Sequence, residues 1–182
     1  MNSRYYSNLI NTVVEYSNSE YWEDAVNEWY IYDCEEDEEL ESSCICGKEN
    51  LRYLFTIKNE LNGNELYPIG SSCIKKFGRE ELYEEASIHE GLFKLLHAIE
   101  QNDYICLSSD YFSRKLLLFL FDEGVFDTPY NHYNGEQDYL FMLKMFNKRD
   151  KTSITRLQDR KIKAIIVNSI IPYLRRKLKQ RR

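Results

Sequence analysis

The hydrophobic period of this chain changes at Gly78, and that change restricts the fold more than any other feature. Before it, "LRYLFTIKN" (51–59) alternates Leu51, Tyr53, Phe55 and Ile57 with Arg52, Leu54, Thr56 and Lys58, the two-residue period of a half-buried strand. "EWYIYDC" (28–34) is aromatic and β-branched and also reads as a strand. "ELNGNELYPIG" (60–70) supplies a turn and a further strand, because Asn62-Gly63 offers the positive-φ residues of a tight hairpin. Residues 29–70 therefore predict a small antiparallel sheet. Beyond Gly78, Leu82, Ala86, His89, Phe93, Leu96 and Ile99 recur at three- and four-residue steps, the spacing of one helical face. "SSDYFSRKLLLFLFDEG" (108–124) has serine caps and a glycine stop, and two more helical stretches follow, the last of which Pro172 should kink or restart. One or two short helices with an apolar stripe of Leu9, Ile10, Val13 and Val14 precede the sheet. The expected class is α+β: a small antiparallel zinc-ribbon-like sheet within 1–78, then a bundle of about four helices over 79–182, in one compact unit.

Composition sets the bounds of this reading. With 182 residues, 43% of them hydrophobic, the chain can bury a sizeable core. Seven glycines, three prolines and no low-complexity tract predict order nearly end to end. The first residues do not read as a signal peptide, and the most apolar run, "KLLLFLF" (115–121), is far too short to span a bilayer. A cytoplasmic protein with no membrane partner is expected, its five cysteines being thiols or metal ligands.

Two of those cysteines, Cys44 and Cys46, are separated by one residue in "SCICGK", and Cys73 follows Gly70-Ser71-Ser72. Zinc prefers soft tetrahedral donors, and thiolates from a tight turn plus a helix start meet that need with little chain ordering. Gly47 suits the turn, while Ser71 or Ser72 would cap the helix that carries Cys73. Cys34, at the end of its strand, is the simplest fourth ligand. The spacing C-x9-C-x-C-x26-C is not a common finger pattern. A site completed by His89 or a carboxylate, or ordinary packed thiols, therefore stay open beside the four-cysteine reading. A four-cysteine zinc would be structural, since it leaves no coordination position for an activated water. Cys106 reads as a packing residue.

No P-loop, dinucleotide glycine pattern, nucleophile elbow or HExxH occurs, and no small-molecule substrate is evident. His89 and His97 fit amphipathic filling of one helix. His132 lies in a polar loop with Tyr130, Asn131, Tyr133 and Asn134, either simply solvated or in contact with a ligand. Net charge is −6, but from Lys144 onward fourteen Lys or Arg oppose only Asp150 and Asp159. Arg156, Arg160, Lys161 and Lys163, then Arg175, Arg176, Lys177, Lys179, Arg181 and Arg182, form a basic end suited to RNA or an acidic protein. The acidic run 33–41 reads as a solvated loop, with phosphate mimicry toward a basic partner as its functional alternative.

"SCICGK", "LRYLFTIKN", "NGNELYPIGSSCIKKFG" and the helix after them, about residues 29–100, resemble a cysteine module met in small proteins of phages and mobile elements of Gram-positive bacteria. Anti-CRISPR inhibitors of type II effector nucleases belong to that milieu. The resemblance implies that Cys44, Cys46 and Cys73 are metal ligands. It also implies a protein that binds an RNA-guided nuclease or its guide RNA and blocks it, by occlusion or by promoting guide truncation. Two other readings stand beside it: a ribonuclease using His89, His97, His132 and carboxylates as acid-base groups, and a non-enzymatic nucleic-acid-binding regulator.

Overall fold

The computed structural model describes residues 3–181, an α+β chain with one three-stranded antiparallel sheet and several helices. It divides into two compact units, the first ending at Glu90 and the second beginning at Gly91.

In the first unit, helix α1 (Arg4–Glu15) starts where the Ser3 hydroxyl accepts from the Tyr6 N–H, and it buries Leu9 and Val13 completely. A short turn, α2 (Trp22–Ala25), leads into strand β1 (Trp29–Glu36), which pairs with β2 (Tyr53–Asn59), itself paired with β3 (Glu65–Ile69). Trp29, Phe55, Ile57 and Ile69 are fully buried, and the Trp29 indole N–H donates to the Ser17 hydroxyl at 2.8 Å. The β2–β3 connection spans five residues, 60–64, and only Gly63 takes positive φ (+74°); the expected Asn62-Gly63 pair is corrected to this single glycine. The Asn59 side-chain oxygen accepts from the N–H groups of Leu61 and Asn62, which shapes the longer loop.

Strand β1 also runs two residues further than expected, through Glu35 and Glu36. The remaining acids form an ordered turn rather than a merely solvated one. Asp37 carboxylate oxygens accept from the N–H groups of Glu39, Glu41 and Ser42 at 2.9 to 3.1 Å, and the Ser42 hydroxyl, together with these bonds, holds its carboxyl below the usual range.

A residue with no motif organises the start of β1. Glu28 is 6% exposed, and its carboxylate accepts from the Asn18 and Ser19 N–H groups, both at 2.8 Å, and from the Asn59 amide at 2.7 Å. Burial alone would raise its pKa, but these three bonds outweigh it and hold the carboxyl below its ordinary value. Arg79, just before helix α4 (Glu80–Glu100), donates to the carbonyls of Val26 and Trp29 and so clasps the same region.

The second unit contains α5 (Arg114–Asp122), capped by the Ser113 hydroxyl, and α6 (Glu136–Phe146). It ends with α7 (Arg156–Ile165) and α8 (Ile171–Arg181). Thr155 and Gln158 form a reciprocal capping box at the start of α7. The expected disturbance at Pro172 takes the form of a π-helical turn, Ile166–Ile170, immediately before α8. Proline brings no N–H for the carbonyl four residues back, and the widened turn carries the chain past that gap. Among the described residues, the segment after Gly78 carries five α-helices, α4 to α8, where a bundle of about four was expected, because this interruption separates α7 from α8.

Candidate metal centre

The turn that presents the paired cysteines is closed by its own backbone. The Gly47 N–H donates to the Cys44 carbonyl at 2.7 Å, and the Cys44 N–H to the Lys48 carbonyl at 2.8 Å. Gly47 has φ +93°, a conformation that L side chains rarely adopt, so glycine is required here. Two bonds aim the turn: the Ile45 N–H donates to the Pro68 carbonyl of β3 at 2.9 Å, and the Asn8 amide of α1 donates to the Cys46 carbonyl at 3.1 Å. Cys73 lies in α3 (Ser71–Ile74), directly after β3. Neither serine caps that helix: its N-cap is Gly70, without a side-chain bond, which corrects the expected Ser71 or Ser72 cap.

These two elements converge. Among the described residues, the sulfur atoms of Cys44, Cys46 and Cys73 all lie within 4.8 Å of one another. The Cys73 sulfur is 3.4 Å from that of Cys46 and 3.7 Å from that of Cys44. Thiolates about 2.3 Å from a tetrahedral zinc stand roughly 3.8 Å apart, so the spacing fits such an ion. The three residues are 4%, 1% and 2% exposed, which shields a bound cation from water. The Gly70 N–H donates to the Cys44 sulfur at 3.4 Å, the supporting contact a thiolate ligand needs.

The same contacts divide the charge unequally. Hydrogen bonding from the Cys73 thiol, resisted by burial and aided by backbone N–H groups, holds Cys44 down to about 5. That bond and burial push the Cys73 thiol far up. A proton held between close sulfurs is what a thiophilic cation displaces on binding.

Cys34 is not in this group. It sits within β1 opposite Phe55, and its thiol lies 3.9 Å from the Glu35 carbonyl, because the continued strand fixes it in the ladder instead of releasing it toward the turn. Cys106 is exposed, not packed as expected; its sulfur lies 3.6 Å from the Ser108 hydroxyl. His89 packs edge-on to Phe55, and His97 lies 3.7 Å from the Glu100 carboxylate. Neither His89 nor His132 belongs to a metal-ligating group of three among the described residues.

Arg156, Arg160, Lys161 and Lys163 are exposed on α7, and Arg175, Arg176, Lys177 and Lys179 on α8. Three of the eight are engaged: Lys161 with Asp138 at 2.9 Å, Lys163 with Asp159 at 2.6 Å, and Lys177 with Glu123 at 3.9 Å. Arg182 lies outside the described residues, as does the Arg181 side chain.

No family model, curated protein or solved structure matches this chain. No helix among the described residues is long and apolar enough to cross a membrane. Sequence reasoning overlooked Glu28 and Arg79; the available signal was a lone carboxylate set between the apolar Val26 and Trp29.

Proposed function

We propose that Cys44, Cys46 and Cys73 hold a structural zinc ion and that the chain works by binding, as an inhibitor of an RNA-guided type II CRISPR nuclease. The observation that carries the metal half is the convergence of three buried sulfurs from a turn and a helix start. Zinc supplies a crosslink there, tying the 44–47 turn to the end of β3, and the near-complete burial of its ligands suits a staple better than an open catalytic centre.

Support for the partner comes from the resemblance of the 29–100 segment and from the distribution of charge. The first unit carries 20 acidic against 7 basic residues, and the second 17 basic against 10 acidic. A ribonucleoprotein presents basic protein and acidic RNA surfaces, and each half of this chain complements one of them.

Two measurements test the reading. Protein purified without chelator should contain about one equivalent of zinc; less than about half an equivalent counts against the staple. Titrated into a preassembled nuclease–guide complex, the protein should suppress DNA cleavage while leaving the guide intact. New guide ends that form with this protein alone would replace the inhibitor by a ribonuclease.

A further inference from the structure

The second unit contains an open cleft of about 430 Å³ lined by Tyr130, Asn131, His132, Asn134, Gln137, Asp138 and Lys161. Its rim is the loop between α5 and α6, which is stitched to itself. The Asn131 side chain accepts from the Thr128 N–H at 2.9 Å and donates to the Phe126 carbonyl at 2.7 Å and the Asp138 carboxylate at 2.9 Å. Asp127 accepts from the Gly135 N–H at 2.8 Å, and the Tyr133 N–H donates to the Thr128 carbonyl at 2.8 Å. Gly135 closes the loop against Phe126, with a β-carbon there falling 2.6 Å from the Phe126 carbonyl carbon.

Within this frame His132 and Tyr133 adopt φ of +54° and +59°, two consecutive left-handed residues, a conformation uncommon outside glycine that histidine takes more readily than tyrosine. Backbone of this kind persists only where its surroundings over-determine it, and it concentrates at ligand-binding sites. Here it holds Tyr130 88% exposed and Tyr133 69% exposed on a rigid support. The side chains of Tyr130, His132, Asn134 and Gln137 make no hydrogen bond to other described residues. Asp138, the one carboxylate in the cleft, has both oxygens engaged, by Asn131 and Lys161.

We infer that this cleft binds single-stranded nucleic acid. A base stacks on the Tyr130 ring, its edge meets the Asn134 and Gln137 amides, and the adjoining phosphates lie toward Arg160 and Lys161 of α7. Aromatic faces take any base by stacking, while amides read base edges. The excess of seven positive charges in this unit favours a polyanion over a neutral sugar chain, and a prefolded loop lowers the ordering cost of binding. The inference rests on the proposed binding function only for the ribonucleoprotein context; the site stands on its own geometry.

The test is fluorescence anisotropy of the full chain with labelled oligonucleotides of about 12 nucleotides: single-stranded RNA, single-stranded DNA and the matching duplex. Single strands should bind more tightly than duplex. Preference for RNA over DNA would place a 2′-hydroxyl contact in the cleft, and equal binding would leave the shared base and phosphate chemistry as the determinant. Tyr130→Ala should weaken binding about 5- to 100-fold and Tyr130→Phe should not, while Arg160→Gln should lower the salt slope by about one. Tyr104→Ala, removing another exposed tyrosine of this unit, should leave binding unchanged. Equal affinity of wild type and Tyr130→Ala, equal binding of duplex, or no binding at low salt would overturn the proposal. Oligonucleotide binding without nuclease inhibition would sink the inhibitor reading alone, and the converse would sink this site alone.

Discussion

Replacing Glu28 by Gln preserves shape while removing the charge and one acceptor. The carboxylate takes three hydrogen bonds of 2.7 to 2.8 Å in a 6% exposed site. In the better amide orientation the Asn18 N–H and Asn59 bonds survive as neutral ones, each weaker by about 1 kcal/mol, while the Ser19 N–H faces an NH2 group and loses about 1–3 kcal/mol. The sum is about 3–5 kcal/mol, a fall in melting temperature of roughly 10 °C or more. The pH dependence provides a second check. Because the folded carboxyl lies below its ordinary value of about 4.5, its contribution is present above that pH and is lost as pH falls through the lower folded value. Urea melts of both proteins at neutral pH and in acid should therefore show a gap that narrows in acid. A neutral-pH gap under about 1 kcal/mol, or one that stays constant in acid, would refute the buried-hub reasoning.

Other outcomes follow from the same contacts. Arg79→Met leaves the Val26 and Trp29 carbonyls without their guanidinium donor and should cost about 1–3 kcal/mol in denaturant melts. Gly135→Ala drives a β-carbon into Phe126 and should cost about 1–3 kcal/mol, with chemical-shift changes concentrated in 126–135. Near neutral pH, zinc uptake should release protons, because Cys44 is already ionised while Cys73 is pushed up; affinity from competition titrations should weaken as pH falls, and a flat profile would contradict three-thiol binding. Cys46→Ser should lose bound zinc and melt earlier, whereas Cys34→Ser should keep its zinc.

Legibility in the sequence followed the range of the interactions. Alternation over 51–59 and the three-and-four spacing after Gly78 report which side of each element faces apolar neighbours, so the α+β class was readable locally. The serine cap of α5 was equally readable, being settled within one turn of helix, whereas the Ser71 or Ser72 cap expected for α3 gave way to Gly70. Helix number was less readable: Pro172 marked a disturbance in the last helical stretch, but not whether that stretch would bend or divide into α7 and α8.

The cysteine centre divides along the same line. "SCICGK" with its glycine, and Cys73 at a helix start, were enough to pick out three thiols, since turn and helix-start chemistry are local. The place of Cys34 depended on how far β1 continues into the acidic run, a question of cross-strand pairing that local charge repulsion answered wrongly. Glu28 was likewise silent, because its three donors come from 9, 10 and 31 positions away and only chain closure brings them together. The sequence alone determined the periods, the serine cap of α5 and the thiol-bearing turns. Tertiary structure decided which thiols share a site, where a buried carboxylate finds its donors, and how the Tyr130 loop is held, because each depends on contacts between segments distant along the chain.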